Sequence, residues 1–266
     1  MLNSSLNLNI PSSLSKIVKM IDKNGGTSLL VGGSVIDSIK GLKIKDWDVE
    51  VYGISLSRLE EILNKFGATN LVGKSFGVIK LSVDGIEYDF SIPRTENKCG
   101  VTHKDFSIEL NPDMTPLEAG RRRDLTINSM YVNLLNGELI DPFGGLWDLN
   151  IGRIRVTCPF TFVEDPLRVL RIMQLLPRKG RFVDVETIQL CRGIADQFDT
   201  LPKERVYEEF NKLLMKSDQP SIGLEFLRES HWIQHFPELA ALIGCPQNPE
   251  HHPEGDVWIH TLWAVD

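Results

Sequence analysis

A chain of 266 residues, 42% hydrophobic and 24% charged, is long enough to bury one large core or two ordinary ones, and its formal charge of −7 argues against a protein that coats nucleic acid indiscriminately. The charge is uneven: Arg121 to Phe182 holds ten Lys/Arg against six Asp/Glu, a local +4 that leaves −11 elsewhere, the pattern of a directed polyanion site on an acidic protein. Cys99, Cys158, Cys191 and Cys245 form no CxxC pair, no apolar run approaches the roughly 18 residues of a membrane span, and the N-terminus MLNSSLNLNIPSS lacks the regions of a signal peptide, so a reduced, soluble, cytoplasmic protein is expected.

In chain order, SLSKIVKMIDKNG predicts a helix, TSLLVGG a strand that stops at two glycines, SVIDSIKGL a second helix and DWDVEVYG a second strand. The helix SRLEEILNKFG follows, then the strands GVIKLSV and IEYDFSIPR, separated by an Asp84-Gly85 turn. Residues 13 to 150 thus read as a mixed α/β layout with a hairpin. After Thr157, EDPLRVLRIMQLL, DVETIQLCRGIADQF, PKERVYEEFNKLLM and PSIGLEFLRESHWI each place apolar residues near a 3.6 period. The second half is expected to be all-helical, with no repeat and no low-complexity linker.

Asp46 and Asp48 are the first candidate site. Residues i and i+2 of a strand face the same side with alpha carbons about 6.6 Å apart, so their carboxylates repel unless a cation sits between them. They can converge on a pair of divalent ions roughly 3.5 to 4 Å apart, the arrangement that clamps in-line phosphoryl transfer. The turn Gly32-Gly33-Ser34 adds backbone amides at a helix start, which suits phosphate. A third acid, Asp89, lies on the predicted neighbouring strand and can complete the metal set. Alone, a DxD pair is more often a solvated strand edge and a GG turn is uninformative; the spacing of strand, turn, helix and acidic strand is what points to a nucleoside triphosphate site.

The stretch VGGSVIDSIKGLKIKDWDVEVYG resembles the nucleotidyltransferase signature of the DNA polymerase beta superfamily, in the form used by bacterial CCA-adding tRNA nucleotidyltransferases and related poly(A) polymerases. RRRDLTINSMYVN with GELIDPFGGLWDLNIGRIRVT resembles the second motif, and FVEDPLRVLRIMQLL the nucleotide-selecting helix, in the same order. The resemblance implies an α+β protein with a polymerase-beta-like head over residues 1–150, a helical neck over 151–220 carrying the selecting helix and an RNA-binding surface, and a helical body over 221–266. It implies Asp46 and Asp48 as Mg²⁺ ligands, Gly33 as a phosphate contact, Arg123 as a nucleotide grip, Asp124 at the sugar and Asn128 on the same helical face.

Asp165 and Arg168 form an i, i+3 pair. A carboxylate acceptor and a guanidinium donor together match the exocyclic amine and adjacent ring nitrogen shared by cytosine and adenine, whereas guanine and uracil present a carbonyl to the carboxylate. An exposed salt bridge worth little is the plainer reading. The resemblance implies the base-selecting use, with Glu164 in support and Arg171 next on the helix. The implied activity is template-independent addition of C and A to the tRNA 3′ end from CTP and ATP, with release of pyrophosphate and no obligate protein partner. Poly(A) polymerase, a CC- or A-only adder, and a catalytically weak RNA-binding relative are the alternatives; the full-length segment RTENKCGVTHKDF disfavours the CC-only form.

Two positions depart from the family pattern. Ile36 in GGSVID stands where arginine is usual, and Gln174 replaces a second arginine of the selecting helix; Lys40, Lys43 or Lys45 are candidate replacements for the missing charge. Restoring arginine at position 36 is expected to tighten nucleotide binding. The tail HHPEGDVWIHTLWAVD resembles the start of a metal-dependent phosphohydrolase domain, with His260 at its first metal-binding histidine, but the downstream His-Asp dyad is absent from the 266 residues and the spacing shows too few zinc ligands.

Overall fold

The computed structural model describes residues 5–6, 8–72, 77–98 and 106–266, so the middle of RTENKCGVTHKDF lies outside the described residues. The chain divides into two compact units, Met1–Leu146 and Trp147–Asp266.

The first unit opens with α1 (Ser12–Lys23), whose Leu14, Ile17, Val18 and Ile21 recur at helical spacing and are buried. β1 (Thr27–Leu30) passes through Gly32 into α2 (Gly33–Ile39), and β2 (Trp47–Tyr52) returns antiparallel to β1 with Val49 opposite Leu30. α3 (Leu56–Leu63) is capped by Ser55 Oγ, which accepts from Arg58 N. Then come β3 (Thr69–Val72), β4 (Val78–Val83) and β5 (Ile86–Ser91). Asp84 and Gly85 have φ of 54° and 76°, the two left-handed residues of the tight hairpin turn expected there.

β6 (Arg94–Lys98) and β7 (Phe106–Leu110) pair as a separate antiparallel ribbon. α4 (Pro116–Gly120) begins with a capping box between Thr115 and Glu118, and β8 (Tyr131–Asn133) and β9 (Leu139–Ile140) finish the sheet. Among the described residues the main sheet runs β3-β4-β5-β2-β1-β8-β9 and is antiparallel throughout except where β2 lies beside β5.

The two faces of this sheet are unlike. Val49 and Val51 of β2, Tyr88 and Phe90 of β5, and Ile79 and Leu81 of β4 share one buried face. Ser13 Oγ bonds Tyr88 Oη at 2.8 Å, which sets α1 on that side. The alternate residues Asp48, Glu50, Asp89 and Lys80 therefore emerge on the other face. There Leu29, Val31, Tyr52, Met114, Ala119 and Tyr131 form an apolar cluster over the β1–β8 side and leave the β2–β5 side to charged groups.

α5 (Gly145–Ile151) runs across the division. The second unit holds α6 (Pro159–Phe162), α7 (Leu167–Lys179), α8 (Val185–Gly193), α9 (Lys203–Lys216), α10 (Pro220–Glu229), α11 (Pro237–Ala240) and α12 (Val257–Val265). It departs from an all-helical reading in one respect: β10 (Arg153–Ile154) pairs in parallel with β11 (Phe182–Val183), a length too short to leave a strand signature in sequence. Asp148 is fully buried and accepts from Nε of Arg153 at 2.7 Å and of Arg155 at 2.9 Å, which fixes the start of β10. Two predicted helices stop early, α8 at Gly193 and α10 before His231, whose φ is 64°. The α+β class, a mixed sheet with helices followed by a helical unit, is as expected.

Candidate active site

Three acids gather on the charged face. Asp48 projects from β2, Asp46 immediately precedes that strand, and the parallel register sets Asp89 of β5 directly beside Asp48. Burial raises the pKa of Asp48, the charges of Asp89 and Asp46 raise it further, and Arg123 and Lys80 only partly oppose them. Lys80 on β4 lies opposite Asp89 and pairs with it at 3.1 Å; the Asp89 hydrogen bond and charge raise the lysine's own pKa. An excess of half-buried carboxylate over nearby cation is the electrostatic condition that a hard divalent ion with oxygen ligands relieves. The donor set fits such an ion.

The glycine turn is fastened to the acidic strand. Val31 N donates to Asp48 O at 3.0 Å, and Ser34 Oγ donates to Asp46 O at 2.5 Å. Gly32 adopts φ 71°, in the left-handed region that favours glycine, and a Cβ there would sit 3.8 Å from Asp48 Oδ2. Gly33 then opens α2. The sequence reading gave all three residues to phosphate; the structure gives the Ser34 hydroxyl a partner within the protein.

RRRD is a turn after α4, not the helical segment implied for Asp124 and Asn128. Arg122 Nη1 donates to the Arg94 carbonyl, while Arg123 turns to the sheet face. Arg123 Nη2 lies 3.4 Å from Glu50 Oε1, its guanidinium carbon 5.2 Å from the Tyr131 ring centre, and Tyr52 Oη donates to Glu50 Oε2 at 2.5 Å. Burial works against the Arg123 charge, but Glu50, Tyr131 and Tyr52 outweigh it and raise the pKa. Asp124 is buried; its Oδ1 accepts from Leu125 N at 2.8 Å and Asn128 Nδ2 at 2.9 Å, so a 3₁₀ turn, Thr126–Asn128, brings together two side chains expected on one helical face.

In the second unit Asp165 precedes α7. Its Oδ1 accepts from Leu167 N at 3.1 Å and its Oδ2 lies 3.8 Å from Arg168 Nε, while Arg168 Nη1 donates to Thr161 O at 2.8 Å. Glu164, Asp165, Arg168 and Arg171 are all half-buried, between the fully buried Val169, Leu170, Ile172 and Met173.

The departures resolve physically. Ile36 is 1% exposed, so the expectation that arginine at this position meets phosphate is corrected: the side chain belongs to the core. Gln174 is 4% exposed, and its Oε1 accepts from Arg178 Nη1 at 2.8 Å. Lys43 and Lys45 line, with Asp46 and Trp47, a cleft of about 940 Å³. The tail also differs from the reading that found too few ligands. Glu254 Oε1 accepts from Nδ1 of His252 at 3.1 Å and of His260 at 2.6 Å, and the three side chains offer ligand atoms within 4.8 Å of one another, where the phosphohydrolase resemblance begins. Glu50, Lys80, Tyr52 and Tyr131 went unrecognised in sequence. For Glu50 the signal was available: Asp48 and Glu50 alternate on one face of β2, two and four residues after Asp46.

A mixed sheet with one acid just before β2 and another within it, a third acid beside them on β5 and a glycine turn hooked to the same strand is the arrangement of a polymerase-beta-like head fold. Residues 28–155 match the Poly A polymerase head domain, and residues 182–243 match the probable RNA and SrmB-binding site of polymerase A. The chain is 40% identical over 241 residues to the Multifunctional CCA protein of Aromatoleum aromaticum, covering 89% of this chain and 57% of that one. It is 38% identical over 243 residues to the Multifunctional CCA protein of Hahella chejuensis, covering 89% and 55%. The fold superposes on a solved complex of a CCA-adding enzyme with CTP at a TM-score of 0.69 and 25% identity, over 91% of this chain and 54% of that one. The matched regions are thus those of a poly A polymerase head followed by a polymerase A RNA-binding region. It spans a little over half the length of the curated relatives it matches. No helix among the described residues is long and apolar enough to cross a membrane.

Proposed function

We propose that the protein adds C and A to the 3′ end of tRNA from CTP and ATP, a cytoplasmic, Mg²⁺-dependent reaction without a template strand. The observation that carries this reading is the parallel register that sets Asp89 directly beside Asp48, with Asp46 just before the same strand and a glycine turn hydrogen-bonded to it. The names of the similar proteins, CCA proteins and a CCA-adding enzyme with CTP, support the choice of substrates.

In the proposed reaction the RNA 3′ hydroxyl gives its proton to solvent, its oxygen forms a bond to the α-phosphorus, the bond from that phosphorus to the oxygen bridging to the β-phosphate breaks, and pyrophosphate leaves. Asp46 and Asp48, with Asp89 beside them, hold Mg²⁺, which when bound supplies charge neutralisation of the triphosphate and activation of the attacking hydroxyl. Arg123 grips the nucleotide from the same face. Gly32 and Gly33 leave room for phosphate near the amides at the start of α2. Asp165 and Arg168 select the base, supported by Glu164 and Arg171, and the helical unit provides the neck, the body and the RNA-binding surface.

The test is incubation of the chain with radiolabelled CTP or ATP and a tRNA that lacks its terminal CCA. Ordered addition of two C and one A supports the reading. Runs of A assign a poly(A) polymerase instead, and binding of tRNA without incorporation assigns a silent RNA-binding relative.

A further inference from the structure

β2 carries three acids in alternation, Asp46 at its edge and Asp48 and Glu50 within it, and alternation alone suggests one shared role. Their surroundings separate them. Asp48 has Asp89 beside it across the parallel register, whereas Glu50 stands opposite Leu29 on β1 and beside Ser91 on β5, with no acid at either cross-strand position. Both oxygens of Glu50 already have partners: Oε2 accepts from Tyr52 Oη at 2.5 Å, and Oε1 lies 3.4 Å from Arg123 Nη2. The Arg123 guanidinium carbon also lies 5.2 Å from the centre of the Tyr131 ring. The side chains of Glu50 and Arg123 are 13% and 22% exposed, so the pair is largely shielded from solvent.

We propose that Glu50 is a positioning residue that, with Tyr52 and Tyr131, holds Arg123 in the orientation from which it grips the incoming nucleotide, and that Glu50 takes no part in holding metal. The proposal rests on the nucleotidyltransferase reading. Its physical basis is preorganisation: a long, rotamer-rich arginine fixed before the nucleotide arrives does not have to be ordered during binding. Tyr52 completes the device, because its hydroxyl fixes the far oxygen of Glu50 and so sets the direction in which the near oxygen faces.

The experiment compares wild type, Glu50→Ala and Glu50→Gln in three measurements: KM and kcat for CTP and ATP, the Mg²⁺ concentration for half-maximal rate, and CTP binding in EDTA by fluorescence titration. Glu50→Ala is expected to raise KM and weaken CTP binding in EDTA by roughly tenfold, the value of one hydrogen bond to a charged group. Its kcat should stay within about twofold and the Mg²⁺ midpoint should not move. Glu50→Gln retains an acceptor for Arg123 and should recover most of the loss; it carries the test alone if melting curves show that the alanine variant does not fold. A shifted Mg²⁺ midpoint with unchanged CTP binding in EDTA overturns the proposal and makes Glu50 a metal acid. A lowered melting temperature with unchanged KM and CTP binding also overturns it, leaving only a structural role. Failure of the wild type to incorporate nucleotide overturns the nucleotidyltransferase reading instead, and the binding titration in EDTA then still decides whether Glu50 positions Arg123.

Discussion

Asp89 stands directly beside Asp48 in the parallel register of β2 and β5, and after burial its charge is the largest influence raising the Asp48 pKa. Without a cation, the head folds against a repulsion on its own sheet face. A bound cation would relieve that repulsion, so on the proposed reading stability and function oppose each other at one residue.

Asp48→Asn should therefore raise the melting temperature measured in EDTA while abolishing nucleotide incorporation. About 1 kcal/mol moves the midpoint of a domain of 150–250 residues by roughly 2–4 °C, which sets the scale of the gain. A melting temperature at or below wild type in EDTA would show that Asp48 is not under electrostatic strain.

The pH dependence has a definite sign. Burial and the neighbouring acids hold the folded-state pKa of Asp48 above that of an ordinary aspartate, so as pH rises through that range the unfolded chain releases its proton first and this residue's contribution to stability falls. A bound divalent ion favours the ionised form and competes with the proton. The acid limb of the rate profile should accordingly move to lower pH as Mg²⁺ is increased; a limb fixed across a hundredfold range of Mg²⁺ would separate this titration from metal binding.

Asp165 has two duties in the structure, accepting from Leu167 N and pairing with Arg168, so alanine confounds them. Losing a helix-start acceptor typically costs about 0.5–2 kcal/mol. Asp165→Asn preserves an acceptor for the backbone while placing an amide donor in the side chain. It should melt within a few degrees of wild type yet lose discrimination against UTP and GTP by roughly tenfold or more, read from incorporation of all four nucleotides. Unchanged preference for C and A in a well-folded variant would remove base selection from this residue.

Ile36→Arg, which on sequence alone promises a tighter phosphate grip, is expected to damage the fold. The side chain is 1% exposed, and placing an unpaired charge in a core costs several kcal/mol. Denaturant unfolding should show a loss of about 3 kcal/mol or more, with no gain in nucleotide affinity for whatever fraction remains folded.

What could be read from residues alone was local. The order β1, α2, β2, the Asp84-Gly85 hairpin and the facing of Asp46 and Asp48 all follow from periodicity and turn chemistry within a few residues. What could not be read depends on register and burial. Asp89 is expected on a neighbouring strand, as β5 is, but nothing near it in sequence says that the pairing is parallel or that its register sets Asp89 beside Asp48, and nothing in GGSVID says which side chain of so short a helix faces inward. Glu50 had a visible pattern but an ambiguous meaning, since an acid at alternate strand positions also describes a solvated edge. The pair β10–β11 was beyond pattern altogether, because two residues cannot display a period.

The hydrogen bonds from Val31 N to Asp48 O and from Ser34 Oγ to Asp46 O bind the glycine turn and the acidic strand into one mechanical part. Neither half can be retuned alone. A change that loosens Ser34 is transmitted to the carbonyl of Asp46, so a lesion introduced on the phosphate side announces itself as misplaced carboxylates. On the proposed reading, the turn then offers no independent adjustment of triphosphate affinity, because the turn and the acidic strand move under a single joint tolerance.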